Sequence, residues 1–209
     1  MKKDKILMII GSLGLLLLFI FPLWTITLVA PQYPEPLGMH IHINRLSDGV
    51  QFNDVNNIDL LNHYIGMALL PTEDNVKNGK VEPFAEFTIM PIIVVIMSIL
   101  GIIFAIIGKR NLYLVWVVVL AILGSVGVFD FYLWLYDYGH NLDPKAVLKI
   151  TDPITGELMA YQPPIFGFKQ MLNFEVYSFP AAGLYIILSA ALLCILAYYI
   201  NTKRKTRLN

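Results

Sequence analysis

The stretch FTIMPIIVVIMSILGIIFAII-GKRN-LYLVWVVVLAILGSVGVFDFYLWLY, residues 87–136, decides the fold. It holds two long apolar runs, Phe87–Ile107 and Leu112–Tyr136, joined by the short basic turn 108–111. One charge, Asp130, interrupts them. The hydrocarbon core of a bilayer is about 30 Å thick, and a helix needs roughly 20 apolar residues to cross it. In lipid the backbone has no water to bond, so each run has to be helical. Two further runs carry the same signal: Ile6–Val29, which has no charge, and Ala181–Ile200. The expected fold is an all-α membrane protein, with four transmembrane helices and two long outer loops that carry short helix and strand elements. The segments are 1–29 (tail and first span), 30–86 (first outer loop), 87–107, 108–111, 112–136, 137–180 (second outer loop), 181–200 and 201–209 (basic tail).

Composition agrees. The chain is 57% hydrophobic and 14% charged, with a mean hydropathy of +0.65; a soluble domain carries about 25% charged residues. Net charge is zero, so no global field draws a partner, and nucleic acid is not expected. Cys194 is the single cysteine. One thiol excludes an internal disulfide, Cys-pair zinc sites, cysteine-ligated iron–sulfur clusters and a C-x-x-C-H haem attachment. The first run follows a basic start, Lys2-Lys3-Asp4-Lys5, as a signal peptide would. It is longer than the usual 7–15-residue apolar region, and Pro31 follows its small-residue exit, so an uncleaved anchor is expected.

Charge placement sets the orientation. Nine of the fifteen basic residues lie in the N-terminal tail, the turn at Lys109-Arg110 and the C-terminal tail. By the positive-inside rule both termini are cytoplasmic and the long loops periplasmic, in a bacterial inner membrane.

The loops are longer than connectors need, which points to function. In the first, Met39-His40-Ile41-His42-Ile43 alternates as a strand, with Met39, Ile41 and Ile43 on one face and His40 and His42 on the other. Asp48-Gly49 signals a turn. Ile58–Met67 reads as a short amphipathic helix capped by Asn56 or Asn57, and 72–80 as a flexible charged stretch. In the second loop, Phe129 to Tyr138 supply interfacial rings, and Gly139-His140-Asn141 breaks the helix. Asp143-Pro144 starts another through Ala146 and Leu148. Asp152-Pro153 and Thr155-Gly156 mark turns, and Tyr161–Pro164 is extended.

All four histidines, His40, His42, His63 and His140, fall in these loops. That excludes a bis-histidine haem between spans. His40 and His42 project from one strand face. His63 and Met67 are four apart on a helix, where both reach one ion, and Met39 is a nearby thioether. Imidazole with thioether and no thiolate suits copper, Cu(I) above all, and suits zinc less. His140, at a helix end, alternatively caps carbonyls, while Met67 alternatively fills core. Asp130, the only charge within a span, is costly there, but no second intramembrane acid or base makes a relay, so a structural role is expected. Gly11 and Gly14, and Gly124 and Gly127, approximate small-residue helix contacts. No phosphate loop, G-x-S-x-G, H-E-x-x-H or dinucleotide fingerprint occurs, and no enzymatic activity is expected. Matching discontinuous spans are absent too, which sets a transporter below the other readings.

Four stretches carry a resemblance: Tyr33-Pro34-Glu35 with Met39; Asn62-His63-Tyr64-Ile65-Gly66-Met67; Tyr136-Asp137-Tyr138-Gly139-His140 with Asp143-Pro144; and Tyr161-Gln162-Pro163-Pro164 with Gly167, Lys169 and Asn173-Phe174. Together they resemble small membrane proteins encoded near nitrous oxide reductase in Bacteroidota-like bacteria. The resemblance implies an accessory role in copper delivery or maturation for a periplasmic copper enzyme, with His63, Met67 and His140 carried over as candidates. His42 departs from that pattern. The alternative is a metal-free structural subunit docked to a larger membrane complex.

Overall fold

The computed structural model describes residues 2–148, 151, 156, 160–171 and 173–206, with side chains as far as Lys203. The turn signals at Asp152-Pro153 and Thr155 lie outside those residues. The chain begins as helix α1 (Lys3–Gly14) and a 3-10 turn (Leu15–Phe19). Strand β1 (Trp24–Val29), β2 (Leu37–Ile41) and β3 (Leu46–Asp48) follow. Then come α2 (Asp54–Tyr64), α3 (Glu73–Lys77), α4 (Glu86–Ile107), α5 (Arg110–His140), β4 (Gly167–Met171), β5 (Phe174–Pro180) and α6 (Ala182–Thr206).

This overturns the all-α, four-span expectation. Among the described residues there are six α-helices and a five-stranded antiparallel sheet, ordered β3-β2-β1-β5-β4. Three helices are long and apolar enough to cross a membrane: Glu86–Ile107, Arg110–His140 and Ala182–Lys203. The error lies in 6–29. Its helical part stops at Phe19, and after Pro22 the chain becomes the central strand of the sheet. Trp24-Thr25-Ile26-Thr27-Leu28-Val29 is rich in β-branched residues, which fit a pleated surface. An unbroken apolar run does not by its hydropathy distinguish a buried strand from a helix.

The helices form one packed body. Trp116 and Tyr113 of α5, Met97 and Ala105 of α4, Met8 of α1 and Cys194 of α6 are buried together. Trp116 Nε1 donates to the Met97 carbonyl at 2.8 Å. A Cβ on Gly11 would lie 2.8 Å from Cys194 Sγ, and one on Gly101 would overlap Ser12 Oγ, so α1 sits close against both α6 and α4. At the basic end, Asn201 Nδ2 donates to Asp4 Oδ2 at 2.6 Å and to the Gly108 carbonyl at 3.1 Å, and Lys5 Nζ donates to the Ile106 carbonyl at 2.6 Å.

The sheet stands at the opposite end. Ala181 N–H donates to the Leu23 carbonyl and Gly183 N–H to the Pro22 carbonyl, which clamps the entries to β1 and α6 together. One sheet face carries Ile26, Leu37, Met39 and Val176. It packs on Val55 and Ile58 of α2 and on Leu135 and Tyr138, in the last turns of α5. The residues read as two separate loops thus join part of the first apolar run in a single α/β layer.

Buried carboxylates fix the connections. Asp54 Oδ2 accepts from the N–H groups of Gly38, Val50 and Gln51 at 2.9, 2.9 and 2.7 Å. Asp59 accepts from Leu70 N–H and Asn75 Nδ2, and Thr72 Oγ1 caps α3 through Asn75 N–H. The stretch expected to be flexible therefore contains a capped helical turn. The Asn56/Asn57 cap expectation is also corrected: α2 starts earlier, after Asn53, which has φ 72° and no side-chain capping bond.

Candidate functional site

Helix α2 ends in a geometry that shapes the site. Gly66 N–H donates to the His63 carbonyl and Met67 N–H to the Asn62 carbonyl, with Gly66 at φ +84°. This is the Schellman arrangement, in which a glycine takes the left-handed position and the next residue turns back onto the helix. It leaves His63 exposed and tucks Met67 into the core, 8% exposed. The facing wall, 141–148, is tied on by Asp143 N–H to the Gly66 carbonyl at 2.8 Å and Leu148 N–H to the Tyr64 carbonyl at 2.9 Å. Between the walls runs an open cleft of about 610 Å³, lined by His63, Met67, Asn141, Asp143 and Lys145 among others.

Met67 also lines a second space. An apolar cavity of about 70 Å³ lies under the sheet, walled by Met39, Met67, Met171, Trp134, Tyr138 and Tyr161 among others. Trp134 Nε1 and Tyr161 Oη are buried in its lining without a hydrogen-bond partner. Burial raises the Tyr161 phenol above its usual range, so it remains a neutral O–H donor. Met171 does not join Met39 in one coordination sphere. Three strand spacings separate β2 from β4, roughly 14 Å at about 4.8 Å each.

The six expected ligands fall in three places. Met39 and Met67 share the inner core, with His63 across the cleft face of Met67. His40 and His42 occupy the β2–β3 corner. His40 Nδ1 shares a hydrogen bond with Thr25 Oγ1 at 2.9 Å, and His42 Nε2 shares one with Ser47 Oγ at 3.0 Å. His42 is buried, and its Nδ1 has no partner. Burial, with the Arg45 guanidinium and His40 nearby, lowers its pKa to about 4. A neutral imidazole is a competent ligand, but Arg45 sets a positive charge where a cation would sit. His140 stacks on Tyr136 at 3.9 Å between centroids, and its Nδ1 bonds the Tyr136 carbonyl at 2.9 Å. It is exposed beside Asn141 and is not part of the cleft lining.

Among the described residues no three His, Cys, Asp or Glu side chains gather as a metal site. What the fold does assemble is a graded pair, imidazole at the surface and thioether at the cavity wall. Asp143, Lys145 and Asn141 escaped the sequence reading as cleft residues, although Asp143-Pro144 was legible as a local start. Trp134, Tyr161 and Met171 were legible only as aromatic, extended or apolar positions. Neither a family model nor a curated protein sequence matches this chain.

Proposed function

We propose that this chain is an accessory inner-membrane protein that supports copper delivery to, or maturation of, a periplasmic copper enzyme such as nitrous oxide reductase. The sheet domain faces the periplasm and both termini the cytoplasm. One observation carries the reading: Met67 is the wall common to the open cleft holding His63 and to the apolar cavity holding Met39. Imidazole and thioether are neutral donors, and thioether favours Cu(I) over harder ions. A cargo ion met by few neutral donors is held and released without protonation of a strong ligand. Copper here is cargo, and the chain performs no reaction of its own.

Cu(I) titration of purified protein against a competing chelator tests this. The double variant His63→Ala, Met67→Ala is expected to bind about tenfold or more weakly, at roughly 1.4 kcal/mol per tenfold. Equal stoichiometry and affinity in both proteins would sink the site. A second reading has its own support. The expected ligands are dispersed, and His40 and His42 are engaged with Thr25 and Ser47 beside Arg45, as suits a metal-free docking subunit of a larger complex. Purification from native membranes would then recover a stoichiometric partner, whereas a metal-free monomer counts against it.

A further inference from the structure

The face of the sheet turned away from α2 carries a patch of rings that the core does not use. Phe166 and Phe179 meet edge to face at 5.3 Å, and Phe168 and Tyr177 lie tilted at 5.0 Å. Phe166 is 64% exposed, Phe168 53% and Phe179 43%. The β4–β5 register pairs Phe168 with Tyr177, and Gln170 with Glu175 one row further along the same face. That face therefore runs from Phe166 and Phe179, through Phe168 and Tyr177, to Gln170 and Glu175. Tyr177 Oη donates to Glu175 Oε2 at 3.0 Å, so the ring marks where the apolar part gives way to the polar part.

The apolar end is the end joined to the membrane-crossing helix. β5 passes into α6 with only Ala181 between them, and that junction is clamped to Pro22 and Leu23. A Cβ on Gly183 would lie 2.7 Å from the Pro22 carbonyl oxygen, which leaves no slack for the sheet to lift away. From Ala182 to Ile200 the helix rises about 28 Å at 1.5 Å per residue, close to the thickness of the hydrocarbon core. The outer hydrocarbon boundary then falls near Ala182. Phe179 is three residues above it, no more than about 10 Å at 3.3 Å per residue. Headgroup layers add roughly 5–8 Å on each side, and aromatic rings favour that layer.

We infer that the lower half of this sheet face rests in the lipid headgroup layer, with Phe166 and Phe179 immersed, Phe168 and Tyr177 at its upper limit and Gln170 in water. The partner is the bilayer surface around the α6 entry. The sheet is thereby held against the membrane by two covalent crossings and a ring-lined face.

The test uses the full-length protein in phosphatidylcholine vesicles, with single nitroxide labels at Phe166→Cys, Phe168→Cys and Gln170→Cys in a Cys194→Ala background. Oxygen collision relative to a water-soluble nickel chelate is expected to fall stepwise from 166 to 168 to 170. Equal, water-like values at all three positions would overturn the inference, and so would equal protection from both colliders, which would mark a protein-covered face. Because Cys194 packs on Gly11, a second series keeps it. Phe166→Trp, Phe168→Trp and Gln170→Trp are compared for quenching by brominated lipid, above the signal of the native tryptophans. The same descending order is expected, and no added quenching at 166 would again overturn the placement.

Discussion

His42 is buried at a corner where its neighbours oppose a charge. Arg45 and His40 face it, Ser47 holds Nε2, and burial adds the largest penalty on the imidazolium. With a folded pKa of about 4 against an ordinary 6.5, the unfolded chain binds the proton first as pH falls. The stabilisation is fully present above pH 6.5 and is lost as pH drops from there through about 4. That span corresponds to roughly 3 kcal/mol at 1.36 kcal/mol per pH unit. Chemical unfolding of detergent-solubilised protein at pH 7 and pH 4.5 checks it. The wild type should lose roughly 2–3 kcal/mol more between the two pH values than a His42→Gln variant, whose carboxylates titrate alike. Equal losses would remove His42 from the account. The alternation that put Met39 and His40 on opposite faces was legible in five residues of sequence, and the strand honours it. His42 was not legible. It lies past the end of β2, with its N–H on the Arg45 carbonyl, and a two-residue spacing carries no notice that the strand has stopped.

At the level of elements, the C-terminus of α2 is the most consequential short segment. A left-handed residue other than glycine costs roughly 1–2 kcal/mol, and at Gly66 a Cβ would also meet Ala146 Cβ at 2.8 Å and the Asp143 carbonyl oxygen at 3.0 Å. Gly66→Ala is therefore expected to destabilise the protein by about 2 kcal/mol or more and to part the two cleft walls. Thermal unfolding, with protease sensitivity across 141–148, measures both effects, and unchanged behaviour in the two assays would contradict the geometry. Gly66 was present in the quoted sequence motif, yet the helix was read through it to Met67. A glycine just past a helix is the ordinary stop signal, and here it decides which way Met67 turns. The opposite failure occurred at 24–29. There the apolar pattern was continuous, the period of two was masked because Thr25 and Thr27 are only weakly polar, and Pro22 was the one local mark of a change. The α4–α5 hairpin was legible because its length and its basic turn are local facts.

At the scale of the molecule, the sheet brings together residues 24–29, 37–48 and 167–180. Pairing across such separations leaves no local trace, so two loops and part of a presumed span gave no sign of being one domain. The finished architecture has a sense of direction. Lys5, the Gly108 turn, Asp4 and Asn201 gather at one end of the helices, and the clamp at Leu23 and Ala181 fixes the sheet at the other. Lys109 and Arg110 stand at the start of α5, while Phe52, 94% exposed, stands on the sheet domain in the loop that Asp54 pins to Gly38. The proposed orientation then makes a claim about two positions on opposite sides of one membrane. In spheroplasts, a Phe52→Cys variant should react with a membrane-impermeant maleimide, and a Lys109→Cys variant should react only after permeabilisation. Buried Cys194 should stay silent in both. Both cysteines reacting in intact spheroplasts would mean that the helices do not separate the two ends across the bilayer. The reversed pattern would place the His63 cleft in the cytoplasm and remove any route from it to a periplasmic enzyme. Only the stated pattern leaves copper delivery across that face physically open, since a cargo ion leaves the cleft on the side where the cleft opens.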